Sequence, residues 1–172
     1  MFAKLKPAVS RPKLTFAVAA LSCLAFADRS NATSVTSTFT VQMTVASSCV
    51  INSTTTMDFG TVGVLTANQD TSSTLAVQCT NTTPYDVGLD AGLGTGATVA
   101  VRKMTNGSKT INYSLYTDAA RTTVWGNTVG TDTVHAIGNG GSQSYTVYGR
   151  VPAQTTPAAA AYTDTITVTV TY

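Results

Sequence analysis

Val35-Thr-Ser-Thr-Phe-Thr-Val-Gln-Met-Thr-Val45 alternates strictly over 11 residues. Val35, Phe39, Val41, Met43 and Val45 fall on one side, with Ser37 as a small gap between them. Thr36, Thr38, Thr40, Gln42 and Thr44 fall on the other. A period of two is the signature of a β-strand with one face to bury. The C-terminus repeats the pattern. Ile166, Val168, Val170 and Tyr172 alternate with Thr165, Thr167, Thr169 and Thr171, which predicts a strand running to the last residue.

Shorter alternating runs lie between these two. They are Leu75/Val77/Cys79, Tyr85/Val87/Leu89, Val99/Val101, Ile111/Tyr113/Leu115 and Tyr145/Val147/Gly149/Val151. Gly92-Leu93-Gly94, Asn106-Gly107, Asn139-Gly140-Gly141 and the stretch from Pro152 to Pro157 punctuate them. Asn106-Gly107 is the strongest hairpin signal, because both residues tolerate positive φ. The only helical feature is a turn at residues 118–121. Many short strands with Gly and Pro between them predict an all-β sandwich or barrel.

Residues 1–27 read as a secretory signal. Lys4, Lys6, Arg11 and Lys13 form a basic start, residues 14–26 an apolar run, and Ala25-Phe26-Ala27 a cleavage pattern. The apolar run is too short for a span, which needs about 20 residues. Ala20-Leu21-Ser22-Cys23 has alanine where a lipoprotein signal usually has leucine, three residues before the cysteine. Beyond residue 27, six basic residues face eight aspartates and no glutamate, a net charge of −2. That leaves no basic patch for nucleic acid. Cys49 and Cys79 remain. An even pair in an exported chain reads as one disulfide, and two buried free thiols are the alternative.

Chemistry-bearing residues are sparse. His135 is the sole histidine, and no Gly-x-Ser-x-Gly is present. Asp58, Asp70, Asp86, Asp90, Asp118, Asp132 and Asp164 sit mostly at turns or strand ends, where aspartate bonds the local backbone. Metal-ligand and phosphate-loop patterns are missing, so neither catalysis nor a cofactor is expected. Trp125, Tyr113, Tyr116, Tyr145 and Tyr148 could form a sugar-binding surface, but aromatics on strands more often fill a core.

The stretches Tyr145-Thr-Val-Tyr-Gly-Arg-Val-Pro152, Tyr162-Thr-Asp-Thr-Ile-Thr-Val-Thr-Val-Thr-Tyr172 and Leu115-Tyr116-Thr-Asp-Ala-Ala-Arg121 resemble the spore coat protein U domain family. The Cys49 to Cys79 spacing and Phe59-Gly60 fit as well, and the resemblance covers residues 33–172. That family includes subunits of archaic chaperone–usher pili. The resemblance implies an incomplete immunoglobulin-like β-sandwich completed by a donor strand from a neighbouring subunit. It implies a homopolymer of pilin subunits, a periplasmic chaperone and an outer-membrane usher. The chain would pass through the periplasm to a surface pilus, for adhesion or biofilm formation. Residues 28–46 would be the N-terminal extension and 47–172 the pilin-like domain. Val35, Phe39, Val41, Met43 and Val45 would then be the donor face, and Ile166, Val168, Val170 and Tyr172 would border the acceptor groove. Alternatively, residues 35–45 form the first strand of their own domain. A secreted carbohydrate-binding or adhesin module and a spore-coat protein are the competing functions.

Overall fold

A computed structural model describes residues 32–172. The signal read in residues 1–27 lies outside them. By internal contacts the chain divides into residues 1–42 and a compact unit, residues 43–172. The described part of the first unit, residues 32–42, forms no strand or helix.

The compact unit holds eight strands and no helix. They are β1 (Cys49–Thr54), β2 (Gln69–Cys79), β3 (Pro84–Leu89), β4 (Arg102–Asn106), β5 (Lys109–Tyr116), β6 (Val134–Ile137), β7 (Ser142–Val151) and β8 (Val168–Thr171). One sheet has the order β1-β2-β7-β5-β4 and the other β6-β3-β8. Every pairing is antiparallel. This is the two-sheet sandwich that the alternating runs predict.

The core comes from the inward residues of those runs. Leu75, Val77, Cys79, Tyr85, Val87, Leu89, Tyr113, Leu115, Val147 and Val151 are all buried. Trp125 joins them from a loop, with its indole N–H donating to Val87 O at 2.8 Å. A buried indole needs such an acceptor, since an unmet donor is costly. Arg102 is also fully buried. Its guanidinium donates to the backbone oxygens of Leu89, Asp90, Val99 and Trp125 at 2.7–2.9 Å. Four carbonyls thus replace the water that the buried charge has lost.

Four features differ from the sequence reading. Val99 and Val101 belong to no strand. Thr98 and Val101 exchange backbone hydrogen bonds and close a turn before β4. The β4–β5 turn is Gly107-Ser108, with Asn106 the last strand residue opposite Lys109. Gly107 carries the positive φ, at 57°, as the first central position of a tight hairpin requires. β1 has no alternation to announce it, and five of its six residues are exposed. The C-terminal strand is shorter than its pattern. At Thr167 the ladder keeps only one backbone bond, from Asp90 N to Thr167 O, while Thr167 N donates instead to Asp90 Oδ1 at 2.9 Å.

Candidate functional site

The three-stranded sheet is too narrow to cover the five-stranded one. β8 is its last strand and pairs only with β3. Thr167 O accepts from Asp90 N, so Thr167 turns its backbone toward the β3 side. Alternation along an antiparallel strand then directs the backbone groups of Val168 and Val170 outward, to the open edge. Their side chains, with that of Ile166, lean half-buried onto the core.

Beside this edge lies an apolar groove in two lobes, of about 570 and 660 Å³. Both lobes are lined by Met57, Asp58, Phe59, Met104 and Tyr162, so they adjoin across these five residues. Residues 54–59 make one wall of the first lobe, and residues 162–166 with Val168 the other. Its floor includes Leu75, Tyr113, Leu115 and Val147 from the five-stranded sheet. Gly149 shapes the floor from the inward face of β7. A Cβ there would stand 2.3 Å from Met57 Sδ and 3.0 Å from Phe59 Cζ. The absent side chain is what lets both residues seat against the sheet. Phe59 packs edge-on to Tyr113, with ring centroids 6.4 Å apart.

Two carboxylates hold the β8 wall. Asp164 accepts from Leu93 N, Thr165 N and the Tyr113 hydroxyl, each at 2.8 Å. Burial and then the Asp164 carboxylate push the Tyr113 hydroxyl pKa far up, so it stays a protonated donor. Asp90 accepts from Gly92 N and Thr167 N. Burial alone would raise its pKa, but the hydrogen bonds from Thr167 and Gly92 outweigh burial and hold it below the usual carboxylate range.

Of the proposed groove residues, Ile166 and Val168 line the first lobe. Val170 packs on the core outside both lobes. Tyr172 also lies outside them and is 60% exposed. Met57, Phe59 and Met104 were not singled out as groove residues by their pattern. Met57 and Phe59 sit in a connection without periodicity, and Met104 shares its strand face with Arg102, a buried charge two residues earlier that masks any apolar alternation. The proposed donor residues are bare: Val35 is 97% exposed, Phe39 86%, Val41 82%, Met43 85% and Val45 71%. Cys49 and Cys79 are joined by a disulfide.

The other candidates resolve differently. Trp125 and Tyr113 are buried, which removes them from any sugar-binding surface. His135 is exposed on β6, and its Nδ1 lies 3.2 Å from Asp86 Oδ2. Asp86 also accepts from the Thr133 hydroxyl, so that carboxylate is engaged in pinning the loop before β6. Among the described residues no group of three potential metal ligands converges.

The spore coat protein U domain matches residues 35–169. The chain belongs to that family. It is 33% identical over 169 residues to Protein U of Myxococcus xanthus, covering 90% of this chain and 93% of that protein. The fold matches a chain in the crystal structure of the CsuC–CsuE chaperone–tip adhesion subunit pre-assembly complex, from the archaic chaperone–usher Csu pili of Acinetobacter baumannii. The TM-score is 0.55 at 26% identity, over 75% of this chain and 40% of the other.

Proposed function

We propose that this chain is a structural subunit of a surface pilus, assembled by donor-strand complementation. One observation carries the reading: an apolar groove flanked by an unpaired strand edge, in a chain that also bears an exposed, alternating apolar segment. The groove leaves apolar walls and backbone groups unmet, an arrangement that invites an added strand. Residues 35–45 offer the complement, with apolar side chains at every second position and a free backbone. Burying Val35, Phe39, Val41, Met43 and Val45 supplies a gross gain of about 8–15 kcal/mol before ordering costs. A donor from one copy entering the groove of the next is a head-to-tail contact that does not close, so it builds a filament.

In this reading a periplasmic chaperone covers the groove before assembly, and an outer-membrane usher exports the fibre to the cell surface. The similarity to a chain of an archaic chaperone–usher complex supports that route. Adhesion or biofilm formation is the role that such a fibre would serve. Catalysis has no part in it.

The test is gel electrophoresis of the mature protein with and without boiling. A ladder that collapses to one band only on heating is the expected result. A single monomer band in both lanes would reject strand exchange. The match to the spore coat protein U domain favours a second reading, a structural protein of a spore coat. Locating the chain by immunogold labelling separates the two, with pili at the cell surface in one case and the coat of spores in the other.

A further inference from the structure

Cys49 and Cys79 face each other directly across β1 and β2, with Cα atoms 4.1 Å apart. The two ends of this disulfide sit in very different surroundings. Cys49 opens β1, an edge strand with five exposed residues and a register shift between Ile51 and Ser53. Cys79 closes β2 and is 1% exposed. Only residues 80–83 separate Cys79 from Pro84, where β3 begins. β3 is the central strand of its sheet and pairs with β8, from Asp86↔Thr171 to Leu89↔Val168. β8 in turn flanks the groove.

The corner after Cys79 is tightly fastened. Thr80 N donates to Ser48 O at 2.9 Å, and Ser48 N donates to Thr80 Oγ1 at 3.0 Å. Thr82 N donates to Gly138 O and Gly138 N to Thr83 O. A Cβ on Gly138 would stand 2.4 Å from Thr80 O and 2.8 Å from Cys79 Cβ, so the backbones meet as closely as glycine allows.

We propose that the Cys49–Cys79 bridge is a mechanical shortcut. It carries tension from the N-terminal extension straight into β3 and β8, bypassing β1 and β2. The proposal rests on the donor-strand reading, in which force enters one subunit through its extension and leaves through its groove. Without the bridge, tension arrives at the end of β1. An edge strand pulled from its end gives up its hydrogen bonds one after another, each a small net contribution that breaks alone. With the bridge, the load crosses a covalent bond into the buried core and reaches β8 through four residues and one ladder. β1 and the connection after it are then spared.

The experiment stretches single molecules of the mature chain, held at the N-terminus and at Tyr172, the residue after β8. With the bridge intact, we expect no lengthening before the main unfolding event. After reductant is added to folded, already tethered molecules, an earlier event at lower force should free residues 49–68. That event lengthens the tether by roughly 70 Å, at about 3.5 Å per residue. The double variant Cys49→Ser/Cys79→Ser should behave like the reduced chain. Equal yield forces with and without reductant, and no early step, would overturn the shortcut. The tethered test needs no polymer. A chain that shows the step but forms no heat-sensitive ladder supports the load path and rejects the donor reading. Fibres that form, yet break at the same force in both conditions, do the reverse.

Discussion

Residues 35–45 and 165–172 are near copies in pattern, yet they differ in what becomes of them. Both set apolar residues against threonines with a period of two. The C-terminal run forms β8 on β3 and packs Ile166, Val168 and Val170 onto the core. The N-terminal run forms no strand, and its five large apolar side chains are exposed. A strand is made by its partner. Alternation states which face is to be buried, while the ladder and the covering sheet decide whether burial happens. The proposed function assigns the missing partner to a second copy.

Deleting residues 28–45 breaks the comparison most severely. We expect complete loss of the heat-sensitive ladder, with a folded monomer that still binds its chaperone. Full-length fibres from the truncated chain would show that the segment is not the donor. Next in size is a charge placed on either side of β8. Val168→Asp puts a carboxylate against the groove and core, and several kcal/mol of stability should go with it. Thr169→Asp, on the exposed face, should cost less than about 0.5 kcal/mol. Urea midpoints measure both, and similar losses would mean that the two faces are misassigned.

Removing the disulfide follows. Closing a loop of 30 residues restricts the unfolded chain by about 3.5 kcal/mol on chain-entropy grounds. The reduced monomer should lose a stability of that order, and an unchanged denaturation midpoint would make the bridge irrelevant to folding. Phe39→Ala sharpens the contrast between the two runs. It should leave monomer stability unchanged, because the ring is exposed. It should weaken the polymer by about 2–3 kcal/mol per junction, read as a lower temperature for collapse of the ladder.

The smallest effect concerns acid. Asp90 has its pKa lowered in the folded chain, so its contribution is present above the unfolded value of about 3.9. It is lost as pH falls through the folded value. Stability should therefore decline below about pH 4, and Asp90→Asn should flatten that slope. A variant with the same slope as the parent would remove Asp90 from the account.

The strands that were legible in advance are those whose alternation survives in the structure. Leu75/Val77/Cys79, Tyr85/Val87/Leu89 and Ile111/Tyr113/Leu115 each became an inward face. β1 was illegible because an edge strand with both faces exposed places no periodic demand on its residues. Val99 and Val101 misled because two valines two apart suit a closed turn as well as a strand. The groove was half legible. The pattern marked Ile166 and Val168 as a face to bury, and they line the groove, whereas Tyr172 has the same parity and is 60% exposed.

The amino-acid sequence by itself determined the all-β class, which side of most strands would be buried, and the family. Those properties are local, since a period of two and a turn residue act within a few positions. Only the tertiary structure decided that three strands would face five, that Met57 and Phe59 would settle over Gly149, and that the bridge would lie one short turn from β3. Each depends on which distant segments pair and how far one sheet reaches over the other, and no window along the chain contains that information.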